Sequence, residues 1–137
     1  DKIFSWIAGI SQYAYSEYLN RAPGPITDIV FNDFAIRSYK PNEGFFVEHT
    51  DQHAGGSINR IFAIIMYLNT VDEGGETEFP QHNIKIKPEK GKVLLFPGNY
   101  LFPHKGNMPI SNSKYIATSW VEFKEMPAKL MRLHGKW

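Results

Sequence analysis

A chain of 137 residues without cysteine is long enough for one domain with a real core, and it excludes a disulfide framework, a zinc–thiolate cluster and a thiol nucleophile. Fifteen basic residues against fourteen acidic leave a formal net charge of +1, so there is no electrostatic footprint for nucleic acid or an anionic membrane surface. Aromatics at 15% favour a sheet-rich core, no apolar run reaches bilayer length and the amino-terminal stretch has no signal-peptide pattern; the expectation is a single cytoplasmic domain over residues 1–137.

In chain order, Ile3, Ile7, Ile10, Ala14 and Tyr18 recur at three- and four-residue spacing, with Phe4 and Trp6 beside them. That spacing predicts a helix from Lys2 to Leu19, lying across one outer face of a sheet. Pro23, Gly24 and Pro25 end it. Ile26 to Tyr39 is strand-like with a bend near Asn32–Asp33, and the turn Pro41–Gly44 leads into a returning strand from Phe45 to His49. Gln52 to Asn59, containing Gly55-Gly56-Ser57, reads as a loop. Arg60 to Asn69 is a continuous apolar run, the pattern of a strand covered on both faces.

Past the turn Val71–Gly75, short strands Glu76–Phe79 and His82–Lys87 flank Pro80–Gln81. Lys92–Phe96 follows the turn Pro88–Gly91 as another apolar strand, and Pro97–Asn99 breaks the chain before Leu101–His104. Lys114–Phe123 alternates over a long strand, and Ala128–Leu133 reads as one or two helical turns. Many short strands at regular spacing between Gly/Pro turns predict a barrel or a double-sheet sandwich.

His49 and Asp51 are separated only by Thr50, and in an extended strand residues i and i+2 point to the same face. A His-x-Asp pair alone is common and ordinarily belongs to a solvated loop. With His104 as a third donor from a distant strand, the set becomes two imidazoles and a carboxylate with positions left open, which suits a non-haem Fe(II) centre. Lys114, Ile116, Thr118 and Trp120 share one strand face, so a cation, an apolar wall, a hydroxyl and an aromatic look inward together. An inward lysine is costly unless an anion meets it. His53 is expected at a loop or substrate edge, because Gly55 and Gly56 take the chain off the strand; His82 and His134 are expected at the surface.

The blocks Tyr39…His49-Thr-Asp51, Ile65-Met-Tyr-Leu-Asn69, Glu73-Gly-Gly-Glu-Thr-Glu-Phe-Pro80, Gly91-Lys-Val-Leu-Leu-Phe96, His104-Lys-Gly106 and Lys114-Tyr-Ile-Ala-Thr-Ser-Trp120 occur in an order that resembles the prolyl 4-hydroxylase branch of the 2-oxoglutarate- and Fe(II)-dependent dioxygenases. The resemblance runs from about Ala35 to Phe123. It implies a mainly β fold with flanking helices, a double-stranded β-helix (jelly roll) supported by the amino-terminal helix. It implies His49, Asp51 and His104 as iron ligands and Lys114 as the partner of the distal carboxylate of 2-oxoglutarate. Tyr39, Tyr67 and Thr118 match positions lining the cosubstrate pocket, Trp120 an aromatic packed near the iron, and Gly74, Gly75, Glu76 and Thr77 a structural turn.

The implied reaction consumes O2 and 2-oxoglutarate, with ascorbate as reductant, and hydroxylates a prolyl residue in a peptide or protein. The same machinery acting on a free amino acid or another small molecule is the alternative. A non-enzymatic jelly-roll module would be expected to lose a ligand or the distal basic residue, and all four positions are present. A nucleic-acid demethylase would want a basic stripe, which the charge balance disfavours. The loops Gln52–Asn59 and Pro80–Asn83 are expected at the entrance, and the compact chain is expected to lack a separate peptide-binding domain.

Overall fold

Helix α1 (Lys2–Leu19) buries Ile7, Ser11 and Tyr15, a stripe with the four-residue spacing of one helix face. Ile10, Tyr18 and Leu19 flank the stripe, whereas Ile3, one turn nearer the amino terminus, and Trp6 are exposed. The face that packs is therefore narrower and shorter than the apolar spacing predicts. The computed structural model describes residues 2–21, 28–32, 34–54 and 57–124. The predicted turns at 128–133, His134, the breakers at 23–25 and the glycine pair at 55–56 lie outside them.

Nine strands follow in chain order: β1 (Ile29–Phe31), β2 (Ala35–Tyr39), β3 (Phe46–His49), β4 (Arg60–Tyr67), β5 (Thr77–Phe79), β6 (Ile84–Ile86), β7 (Val93–Pro97), β8 (His104–Gly106) and β9 (Lys114–Phe123) among the described residues. One sheet has the order β1-β9-β4-β7, with β2 also paired to β9; the other has the order β3-β8-β5-β6. All the pairings are antiparallel. The expected bend near Asn32 is a true interruption. β1 and β2 run along successive stretches of β9, and Asn32 between them donates N–H to the Trp120 carbonyl at 2.9 Å and accepts from Ser119 Oγ at 3.1 Å.

β4 explains why an unbroken apolar run was needed. Phe62, Ile64 and Met66 face α1 with Ala117 and Val121, while Ala63, Ile65 and Tyr67 face the second sheet with Phe79, Phe96 and Ile116. Ile64, fully buried, contributes on the order of 1.5–3 kcal/mol from burial alone. The turn into β5 depends on Gly74: at φ +75° it occupies the left-handed region, and a Cβ there would sit 2.5 Å from the Met108 carbonyl oxygen. That close approach lets Gly75 N–H donate to the same carbonyl at 2.9 Å and delivers Thr77 to the interior.

Two facing antiparallel sheets with a helix on the outside of one make a double-stranded β-helix, the jelly roll that the family resemblance implied. Two local expectations are revised. The run from His82 begins as a 3-10 turn (Pro80–His82) closed by Asn83 in the left-handed region at φ 54°, so β6 starts only at Ile84. β3 ends at His49, so Asp51 does not continue an extended strand.

Candidate metal centre and its cavity

His49 and His104 are cross-strand partners on β3 and β8. The register shifts by one residue between the pairs Phe46–Gly106 and His49–His104, a bulge that kinks β3 and re-aims its last side chain. The two imidazole centroids are 4.3 Å apart. Asp51 reaches the same point from a bend rather than by strand alternation. Gln52 N–H donates to the Gly98 carbonyl at 2.8 Å, and Gly98 N–H to the Ile61 carbonyl at 2.8 Å, tying the bend to β4 and the end of β7. A Cβ on Gly98 would lie 3.3 Å from Asp51 Cβ, so this tie packs the bend directly against a residue without a side chain. One ligand atom from each of His49, Asp51 and His104 then lies within 4.8 Å of the others.

The hydrogen bonds around these groups decide what they can hold. His49 Nδ1 lies 2.9 Å from the Val47 carbonyl and His104 Nδ1 3.1 Å from the Phe102 carbonyl. A carbonyl only accepts, so each Nδ1 carries its proton and, in the neutral ring, each Nε2 presents a lone pair. Those lone pairs face Asp51: His104 Nε2 is 3.5 Å from Oδ2 and His49 Nε2 is 4.0 Å from Oδ1. Burial pushes the His104 imidazole below its ordinary range, outweighing its carbonyl bond and the nearby carboxylate, so it favours the neutral form. Asp51 Oδ1 accepts from Trp120 Nε1 at 3.0 Å, but Oδ2 is buried with no hydrogen-bond partner. Two nitrogen lone pairs and an orphaned carboxylate oxygen meeting in one place are costly to leave unanswered. A divalent transition metal answers all three, and the N,N,O donor set is that of Fe(II) sites with open positions.

The three groups open onto a cavity of about 260 Å³, whose walls include Tyr39, Thr77, Lys114, Ile116, Thr118 and Trp120. Lys114 is 3% exposed, with Nζ 5.6 Å from the Tyr39 ring centroid and 5.8 Å from that of Tyr67. No carboxylate lies within 4.0 Å of it among the described residues. Burial pulls its amine down to about 8, only partly offset by Glu76. Thr118 Oγ donates to the Ala35 carbonyl at 3.3 Å and still lines the cavity.

Tyr67 stands apart from the other predicted pocket residues. It is not a lining residue; its hydroxyl donates to Thr77 Oγ1 at 2.7 Å, and burial pushes its phenol up to about 12. Thr77, read from sequence as part of a structural turn, is the hydroxyl that reaches the cavity. Arg60, hidden at the head of an apolar run, was missed. Its guanidinium lies 4.1 Å over the Trp120 ring, its Nε donates to Glu122 at 3.2 Å and its Nη1 to the Asp51 carbonyl at 3.4 Å. Trp120, expected as packing, is also a hydrogen-bond donor to a ligand; its alternation with Lys114 and Thr118 was the available signal. At the mouth, His53 lines the cavity from the first expected entrance loop, but no residue from 80–83 does. His82 instead turns to Leu101, with Nε2 2.7 Å from its carbonyl, and stacks on Phe102 at 4.8 Å.

This combination of fold and donor set has a counterpart among known families. A family model described as the 2OG-Fe(II) oxygenase superfamily matches residues 34–122, and the chain belongs to that superfamily. It is similar to a probable prolyl 4-hydroxylase 10 of Arabidopsis thaliana, 30% identical over 115 residues, covering 65% of this chain and 39% of the relative. It is also similar to procollagen-lysine,2-oxoglutarate 5-dioxygenase 1 of Bos taurus, 31% identical over 125 residues, covering 88% of this chain and 15% of that one. Among solved structures, the viral collagen prolyl hydroxylase of Paramecium Bursaria Chlorella virus-1 in its 2OG complex superimposes with a TM-score of 0.74 at 27% identity, covering 91% of this chain and 75% of that chain. The chain spans about two-fifths of the length of the plant relatives it matches.

Proposed function

We propose that this chain is the catalytic domain of an Fe(II)- and 2-oxoglutarate-dependent dioxygenase that hydroxylates a prolyl residue in a peptide or protein. The observation that carries the reading is the pairing, in one cavity, of a His-Asp-His donor set that includes an orphaned carboxylate oxygen with a buried lysine that has no carboxylate within 4.0 Å among the described residues. His49 Nε2, Asp51 Oδ2 and His104 Nε2 would hold the iron, with both imidazoles locked in the required tautomer by backbone carbonyls. Bound iron supplies, with O2, the coupling of 2-oxoglutarate decarboxylation (to succinate and CO2) to hydroxylation of an unactivated C–H bond, and ascorbate keeps it reduced.

The remaining roles fall to this chain's own side chains. Lys114 pairs with the distal carboxylate of 2-oxoglutarate, whose charge answers an ammonium desolvated by Tyr39 and Tyr67. Thr77 and Thr118 offer hydroxyls along the cosubstrate, and Ile116 and Phe96 keep water from it. A prolyl target is supported by the names of the plant and viral relatives. A lysyl target is the second reading, supported by the bovine relative named for procollagen lysine.

The test is succinate formation from 2-oxoglutarate with Fe(II) and ascorbate, with and without proline-containing and lysine-containing peptides. Peptide-stimulated turnover with a gain of one oxygen on proline is expected. Oxygen gain on lysine would select the second reading, and no turnover with iron bound would remove the oxygenase.

A further inference from the structure

We propose that Arg37 selects substrates carrying a carboxylate beside the target residue, so that the peptide class this cavity takes is acidic. This rests on the oxygenase reading above. β2 alternates so that Ala35, Arg37 and Tyr39 are half-buried and turned inward while Ile36 and Ser38 are exposed. In register, Arg37 stands opposite Ile116, between the Tyr39–Lys114 pair and the Ala35–Thr118 pair. It therefore looks into the same cavity from the edge of the sheet, and its guanidinium reaches across to the other sheet, 5.5 Å from the Phe46 ring centroid on β3. Stacking of this kind holds the planar fork in place before any ligand arrives.

Charge accounting shows what the fork is for. The cavity is lined by four basic side chains, Arg37, Arg60, Lys105 and Lys114, and by one carboxylate, Asp51. Asp51 belongs to the metal centre. Arg60 is paired with Glu122 at 3.2 Å, and Lys105, half-exposed to solvent, shares Glu78 with Lys85, each at 3.5 Å. Lys114 takes the distal carboxylate of 2-oxoglutarate, and the other carboxylate of that molecule goes to the metal. Arg37, like Lys114, has no carboxylate within 4.0 Å among the described residues, and unlike Lys114 it has none left to receive from the cosubstrate. An arginine cannot relieve partial burial by shedding its proton. An incoming carboxylate, held bidentately, is the ligand that fits a pre-oriented, half-buried guanidinium in this cavity. Its source is an acidic side chain next to the target in a peptide, or the α-carboxylate of a free or carboxy-terminal target residue.

The experiment uses the Fe(II)- and 2-oxoglutarate-loaded protein without oxygen, so that binding is read without turnover. The probes are fluorescein-labelled peptides with a central proline flanked by glutamate, glutamine or lysine, and one ending in proline with a free or an amidated carboxyl group. The glutamate peptide, or the free-carboxyl peptide, should bind about tenfold tighter than its neutral counterpart, the size of one charge-assisted hydrogen-bonded contact. That preference should vanish in Arg37→Gln and persist, weakened, in Arg37→Lys. Which acidic probe shows it tells the side-chain source from the terminal one. Equal binding of charged and neutral peptides by the wild type, or a preference unchanged in Arg37→Gln, overturns the proposal. So does a raised 2-oxoglutarate requirement in Arg37→Gln in place of a lost peptide preference, because it would assign the guanidinium to the cosubstrate. Peptide-free 2-oxoglutarate turnover on the same preparations tests the oxygenase reading separately: turnover without a charge preference rejects only the role of Arg37, and a charge preference without turnover rejects only the oxygenase.

Discussion

The indole of Trp120 donates a hydrogen bond of 3.0 Å from Nε1 to Oδ1 of Asp51. Behind it, Arg60 stacks 4.1 Å over the indole and is itself fixed by Glu122. The orientation of the carboxylate is thus set by a relay that begins on β9, two residues beyond the indole. One oxygen is occupied by the protein and the other is left for a metal, which is how supporting hydrogen bonds tune a ligand they do not replace.

Trp120→Phe keeps an aromatic face under Arg60 and removes the donor. Metal affinity should fall about 10- to 100-fold, the usual cost of losing such support, while the thermal midpoint moves little. Anaerobic Fe(II) or Co(II) titration measures it. An unchanged affinity would mean that the indole only packs.

Asp51→Asn preserves shape and removes a buried charge. Its amide can donate to the His104 Nε2 lone pair, which has no donor in the metal-free wild type. Metal binding should be abolished, and the metal-free protein should melt at the same temperature as the wild type or higher, because an uncompensated carboxylate is gone. Thermal unfolding with and without chelator is the measurement. A large loss of stability in the metal-free variant would show that the carboxylate serves the fold rather than a cation.

The long strands and the two-sheet architecture were legible because each rests on a repeating pattern, whereas the jelly roll and the full donor set came from the ordered motif blocks of the family resemblance. β9 alternates over its whole length, and β4 is apolar on both faces because it has a helix on one side and a sheet on the other. What was not legible depends on contacts between distant segments. Asp51 sits in a bend whose course is set by Gly98, forty-odd residues away, so His49 and Asp51 come together by a geometry other than the simple strand alternation expected. The Tyr67 hydroxyl is diverted by Thr77, whose inward position depends on the tight turn at Gly74. Arg60 could not be read as a partner of Trp120 until β4 and β9 were paired. Local pattern gives faces; it does not give who meets whom across the interior.

Gly98→Ala tests that cross-chain tie. The new Cβ would stand 3.3 Å from Asp51 Cβ, closer than most such contacts, so the bend must yield by a few tenths of an ångström. Gly98 needs no left-handed backbone, so its conformational role is not what is being disturbed. The expected result is weakened metal binding, by about threefold to tenfold, with a small loss of stability of about 1–2 kcal/mol from overpacking. Metal titration beside thermal unfolding separates the two effects. A stability loss without any change in metal affinity would show that the bend relaxes without moving the carboxylate.

Lys114 gives a pH dependence whose sign follows from its burial. Its amine titrates near 8 in the folded, cosubstrate-free protein against an ordinary value of 10.5. Between these two the unfolded chain holds a proton that the folded site does not, so stability of the cosubstrate-free protein should rise as pH climbs through that window. Binding of 2-oxoglutarate has the opposite preference, since its distal carboxylate requires the ammonium. Affinity should be level below about pH 8 and fall above it, approaching tenfold per pH unit, as binding must first restore the proton. Burial holds the His104 imidazole below its ordinary range, so its titration does not confuse the slope. Titrating 2-oxoglutarate between about pH 7 and 10 measures it, and Lys114→Arg, which cannot lose its charge there, should flatten the profile. Lys114→Met should bind 2-oxoglutarate weakly at every pH, yet melt higher than the wild type when the cosubstrate is absent, because a desolvated ammonium has been removed. A wild-type affinity that stays level to pH 10 would mean that the distal carboxylate is held elsewhere.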